Sequence, residues 1–259
     1  MKPSRKKIWL TLIPAMCLPF LASLFYFVLF SEYTFSRAIY VGTKVFTLVW
    51  PALAVWLIYR AQMPRPAVRD SGRLKAFLLQ LLSKLKLFLA KVGLARRNPN
   101  HLKAIPLGLI AGLTIVLTLM GLMLTPLALV VVDGGAAIGR KTTELGVLNH
   151  FWIFAVFISV FHSALEEYYW RWFVYGQLRE VTGRWTAHLL AGVTFAAHHI
   201  VITTQFFPFW WGVFFGSMVG FGGVIFSLLY ERQKSLVGAW SAHMLIDFGI
   251  MAIGYELIT

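Results

Sequence analysis

Seven long apolar runs, at residues 8–30, 39–59, 105–132, 150–178, 186–207, 209–230 and 236–257, constrain this chain more than any other feature. A helix needs about 20 mostly apolar residues to cross a hydrocarbon core, and every run reaches that length. In lipid the backbone must satisfy its own hydrogen bonds, so such runs fold as helices. Charged residues make up only 13% of the chain and hydrophobic residues 59%, with a mean hydropathy of +0.72; a soluble domain carries about a quarter charged residues. The expected fold is all-α, a polytopic transmembrane helix bundle of about seven spans. No internal repeat or low-complexity linker divides residues 1–259, so a single transmembrane domain is expected. Within it, residues 1–149 hold N-terminal spans and a basic loop at 60–103, and residues 150–257 hold the polar helices described below.

The 24 Lys and Arg residues set the orientation. Nineteen fall in 1–7, 60–103, 179–184 and 231–235, segments that alternate onto one side of a seven-span bundle. Positive charge near helix ends stays cytoplasmic, which predicts a cytoplasmic N-terminus; the membrane expected for this integral protein is a bacterial inner or cell membrane. The net charge of +14 arises in these loops, and no nucleic-acid motif accompanies it, so no nucleic-acid partner is expected. Residues 71–92 alternate Leu and Phe with Lys and Arg as an amphipathic helix suited to anionic lipid. The apolar run after the basic Met1–Lys7 is too long for a cleaved signal and ends in bulky residues, so it reads as a retained first helix, broken at Pro14 and Pro19. Cys17, the one cysteine, allows no intrachain disulfide and reads as inert packing. Pro208 predicts a tight turn between two spans. Gly108 and Gly112, and Gly212, Gly216 and Gly220, permit close helix approach.

Ionisable groups deep in a bilayer cost several kcal/mol each and normally face a protein interior or a wet cavity. This chain places them on three spans: Glu166-Glu167-Tyr168-Tyr169-Trp170-Arg171, Phe195-Ala196-Ala197-His198-His199 and His243-Met244-Leu245-Ile246-Asp247. Glu167 and Arg171, four apart, share a helical face and can form an ion pair. Glu166 is rotated about 100° from its neighbour, free to point at another helix. His243 and Asp247 share a face, so the carboxylate can fix the imidazole tautomer. Phe195 can wall the same pocket one turn from His199. Counting from the basic helix ends puts the three clusters in the middle or inner half of the bilayer, where they can meet in one cavity open to the cytoplasm. His198 faces away from His199, and His150, His162 and His188 lack partners at useful spacing.

E-E-x-x-x-R, F-x-x-x-H and H-x-x-x-D, in this order on successive apolar segments, resemble the CPBP family, the CAAX proteases and bacteriocin-processing enzymes. The resemblance covers about residues 150–257. It implies an intramembrane endopeptidase of the glutamate type, in which Glu166 and His199 activate the water that attacks a peptide carbonyl. By the same resemblance His243 and Asp247 stabilise the oxyanion, and Glu167 and Arg171 hold the site together or contact substrate. Many relatives carry Asn at the position of Asp247. An ionised Asp cannot donate to an oxyanion, so Asp247 is either protonated or orients His243. The implied substrate is a membrane-anchored or lipidated protein or peptide, cut near its C-terminal tail.

Rival readings follow from the same residues. Glu166, His199, His243 and Asp247 are of the kinds zinc accepts. The chain lacks an H-E-x-x-H signature, and no cofactor is expected, with zinc as the chemical alternative. A proton-coupled transporter would also use intramembrane Glu, His and Asp, but with broken helices and repeat symmetry. A non-catalytic scaffold or bacteriocin-immunity protein would tolerate loss of Glu166. The residues do not define an oligomeric state.

Overall fold

A computed structural model describes residues 4–59 and 100–259. Among them are eight long helices and no strand: α1 (Arg5–Leu24, continued by a π turn at Phe25–Leu29), α2 (Thr34–Tyr59), α3 (Asn100–Leu122), α4 (Leu127–Glu144), α5 (Leu148–Val181), α6 (Arg184–Thr203), α7 (Phe209–Gln233) and α8 (Leu236–Ile258). All but α4 are long and apolar enough to cross a membrane, giving seven candidate spans and the all-helical integral membrane architecture expected. Val45, Leu48, Ile110, Leu117, Val193 and Phe221 face outward, an apolar exterior suited to lipid rather than water. The amphipathic stretch at 71–92 lies outside the described residues.

Three local expectations change. The third apolar run does not continue to residue 132: α3 stops at Leu122, and α4 restarts after Pro126. Proline lacks the N–H that would carry the preceding turn onward, which explains the break. Gly134 and Gly135 then let α4 pack against Phe207 and against Leu257 of α8. Pro14 and Pro19, by contrast, lie within a continuous α1. Pro19 cannot donate to the Ala15 carbonyl, and the Tyr169 hydroxyl donates to that carbonyl instead, at 2.8 Å. A neighbouring helix thus supplies the hydrogen bond that proline removes, as membrane bundles require. Cys17 is exposed on the surface of α1 rather than packed.

Among the described residues two apolar clusters form the core. Ile8, Leu12 and Ala15 of α1 and Ala54 and Ile58 of α2 pack with Phe173 and Leu178 of α5 and Ala187 and Ala191 of α6. Phe226 and Leu229 of α7 pack with Ala239, Ala242 and Ile246 of α8, with Ala111 and Ile115 of α3 against them. Small residues set the closest approaches. A Cβ at Gly216 would lie 2.5 Å from the Ile200 Cα, and one at Gly220 would meet Ala196 at 2.5 Å, so α7 lies almost backbone to backbone on α6. Gly112 likewise lies against the backbone of Ala242, pressing α3 onto α8. Pro208 precedes α7 directly, and the Thr203 hydroxyl donates to the Gly212 carbonyl at 2.6 Å, stapling the expected tight turn.

The ends of α5, α6 and α7 meet at Glu231. Its carboxylate accepts from Arg179 at 3.1 Å and Arg184 at 2.6 Å, and lies 3.4 Å from Nε2 of His188. His188 is fully buried and bonded through Nδ1 to the Ser227 hydroxyl at 2.6 Å. This clamp fixes one end of the three helices that carry or support the polar clusters.

Candidate active site

The central helix α5 is not a uniform α-helix. Phe157–His162 and Glu167–Tyr175 are π-helical, separated by one α-helical turn at Ser163–Glu166. A π segment bonds i to i+5 and widens the helix, and such segments are rare and concentrated at functional sites. Here the change of winding falls between Glu166 and Glu167. The two carboxylates that a regular helix would turn apart both face one ring, His243 of α8, with only Glu167 within hydrogen-bond distance. Glu167 Oε1 lies 2.7 Å from Nδ1, and Glu166 Oε2 lies 3.7 Å from Nε2. Asp247 Oδ1 is 3.6 Å from that same Nε2, beyond hydrogen-bond reach. The group holding the His243 ring is therefore Glu167, since a carboxylate accepts only and Nδ1 must carry the proton in this bond. Phe226 stacks on the His243 ring, with the ring centres 4.8 Å apart.

Glu167 also carries the expected ion pair, 3.1 Å from the Arg171 guanidinium. Both side chains are almost wholly enclosed, 1% and 2% exposed, so neither charge can turn to water and each depends on the other. The guanidinium lies 4.4 Å from the Phe195 ring centre and 4.9 Å from that of Phe226, two faces that attract a cation. Gly223 of α7 makes room, because a Cβ there would meet the guanidinium at 3.2 Å.

Glu166 faces the histidines. Its Oε1 lies 3.4 Å from His162 Nε2, one turn back on α5, and 3.8 Å from His198 Nε2 of α6. His198 stacks parallel on Trp170 at 5.5 Å and sits 4.1 Å from the His199 ring. His199 Nδ1 is bonded to the Phe195 carbonyl at 2.9 Å, so it carries the proton and leaves Nε2 as a free acceptor. Phe195 walls this side, 4.5 Å from His199. Sequence reasoning set aside His162 and His198, and both stand beside Glu166. The i, i+4 spacing of His162 and Glu166 was the available signal for the first. No periodicity marks the second, because long side chains from adjacent positions can converge despite the 100° between them.

A cavity of about 80 Å³ is lined by Glu166, His162, His198 and His199, with Leu165, Tyr169 and Trp170 of α5 and Ile202 of α6 beside them and further walls from α1 and α2. Pro19, Ala22 and Ser23 of α1 and Tyr40, Thr43 and Lys44 of α2 line it. These lie toward the end where α1 joins α2, opposite the Glu231 clamp, and so not toward the basic end the sequence suggested. The cause is arithmetic: about 13 to 15 residues separate Glu166 and His199 from the basic ends, roughly 20 Å at 1.5 Å per residue, past the middle of a 30 Å core. One set of nitrogen and oxygen ligands also converges. Glu166, His198 and His199 present atoms within 4.8 Å of one another, a spacing that could hold a metal ion. This set shares Glu166 and His199 with the zinc alternative above and has His198 in place of His243 and Asp247.

No curated protein and no solved structure matches the chain. Residues 148–249, which carry all three motifs from α5 through α8, match the family described as type II CAAX prenyl endopeptidase Rce1-like, so this part of the chain is similar to the CAAX proteases its motifs resemble.

Proposed function

We propose that the chain is an intramembrane endopeptidase that hydrolyses a peptide bond near the C-terminal tail of a membrane-anchored or lipidated substrate. The observation that carries this reading is that Glu166 and the unprotonated Nε2 of His199 line one cavity beside a ring held by Glu167. A water between the two accepts no proton from them and loses one to Glu166 as its oxygen adds to the scissile carbonyl carbon. His199 accepts the second hydrogen bond of that water and aims it. The carbonyl oxygen becomes an oxyanion, and His243, carrying a second proton as an imidazolium among the carboxylates of Glu166, Glu167 and Asp247, keeps its Nδ1–H on Glu167 and donates from Nε2 to stabilise it. As the C–N bond breaks, the proton held by Glu166 passes to the leaving amine, giving a new carboxyl end and a free amine.

In this reading residues 150–257 supply the catalytic helices, residues 1–149 supply the remaining walls, and Asp247 adds negative charge beside His243 without orienting it. Water activation needs only these side chains. Substrate and membrane lipids are the partners, and the chain sits with its basic ends cytoplasmic. The test is a map of peptide termini in membrane fractions from cells expressing the wild-type chain or Glu166→Ala at equal levels. A set of C-terminal tails clipped only with Glu166 intact supports the proposal. Identical maps in a native host would favour a scaffold or transporter.

A further inference from the structure

α2 contributes a cation to the cavity. Lys44 lies eleven positions into the 26-residue helix and lines the same space as Glu166 and His199, and it is the one Lys or Arg among the described lining residues. Its ammonium lies 5.2 Å from the ring centre of Tyr40, which also lines the cavity. Among the described residues no carboxylate comes within 4 Å of it. The other lysine at this end, Lys141, differs: it reaches the Tyr26 ring at 5.8 Å and is neutralised by Glu144 at 3.0 Å. A half-buried ammonium in a spanning helix is costly without an anion, and its location names where that anion would come from.

From this we infer that Lys44 binds the C-terminal carboxylate of the substrate, so that the enzyme measures its cut from the end of the chain. The inference rests on the peptidase reading. A tail entering the cavity brings one obligatory negative charge, its terminal carboxylate. Placing that charge on Lys44 sets an upstream peptide carbonyl against Glu166 and His199. Tyr40, beneath the ammonium, holds it by cation–π attraction until the carboxylate arrives. The residue lies outside the matched segment 148–249, so the subsite is a property of this chain's own N-terminal helices.

The test uses the full chain in phosphatidylcholine vesicles and a farnesylated tetrapeptide prepared as the free acid and as the C-terminal amide. Binding is measured on Glu166→Gln, which separates it from turnover, with and without Lys44→Met or Lys44→Arg. The acid should bind about tenfold more tightly than the amide, the scale of one charge-assisted hydrogen bond. Lys44→Met should remove that preference by weakening the acid alone, and Lys44→Arg should restore it. Equal binding of acid and amide, or a preference that survives Lys44→Met, overturns the inference. So does a loss that affects acid and amide alike and varies with anionic lipid content, which would assign Lys44 to headgroup phosphate. Cleavage is followed separately with wild type. An acid preference without Glu166-dependent cleavage sinks the peptidase reading and keeps the carboxylate subsite, whereas cleavage without the preference does the reverse.

Discussion

Glu167 and His243, 76 residues apart, are joined by a 2.7 Å hydrogen bond in which a nearly inaccessible carboxylate holds Nδ1 of the imidazole. The same carboxylate is the partner of Arg171. Glu167→Gln keeps the shape but leaves the guanidinium without a countercharge, and breaking a buried pair from one side costs about 3–5 kcal/mol. Thermal unfolding in detergent should register a large loss for Glu167→Gln. Adding Arg171→Met should recover much of it while cleavage stays low, since His243 is no longer held by a charged partner. A recovery of both would show that the pair serves stability alone.

His162 stands one turn from Glu166 with its Nε2 at 3.4 Å. His162→Ala is expected to lower the rate of tail cleavage by about ten- to a hundredfold, short of a complete loss of acid–base catalysis, because His198 and His199 remain. KM should change little. Unaltered kcat would remove His162 from the reaction.

Tyr169 supplies the hydrogen bond that Pro19 denies to Ala15. Tyr169→Phe leaves that buried carbonyl unpaired, and the expected cost is about 1–3 kcal/mol of stability with kcat nearly unchanged. In Pro19→Ala, where the helix regains its own donor, the same tyrosine substitution should cost less. A double-mutant cycle read by thermal unfolding checks both statements.

Gly216 and Gly222 lie on one helix with opposite requirements. A Cβ at Gly216 collides with the backbone of Ile200, next to His199, while nothing lies within 4 Å of one at Gly222. Gly216→Leu should therefore separate α6 from α7 and abolish cleavage, and Gly222→Leu should be tolerated. Cleavage assays on both, at matched expression, decide it.

The side-chain water activation proposed here predicts that purified chain holds less than stoichiometric zinc and keeps its cleavage rate after chelation. Elemental analysis with an activity measurement checks this. Stoichiometric zinc, lost together with activity in His198→Ala, would point to the Glu166, His198 and His199 set.

The spans were legible because lipid demands length and hydropathy, which can be counted directly from residues. The Glu167–Arg171 ion pair was legible because i, i+4 spacing places those side chains together in a regular helix and still does here. What spacing could not convey was the π winding that begins at Glu167 and brings Glu166 and Glu167 to opposite nitrogens of one ring. For that reason the sequence offered Asp247 as the partner of His243, where the fold uses Glu167. No spacing in the sequence singled out Lys44; the packing of α2 over the cavity is what places it beside Glu166 and His199.

The placement of the cavity toward the α1–α2 end has a topological consequence. Under the orientation and activity proposed above, the reaction would face the external side, and the tail to be cut would already have crossed the membrane. The released fragment would then leave at the cell surface instead of entering the cytosol, and the retained body would stay in the bilayer with a fresh carboxylate facing outward. Hydrolysis would in that geometry be coupled to export by position alone, with translocation of the substrate as the step that makes it accessible.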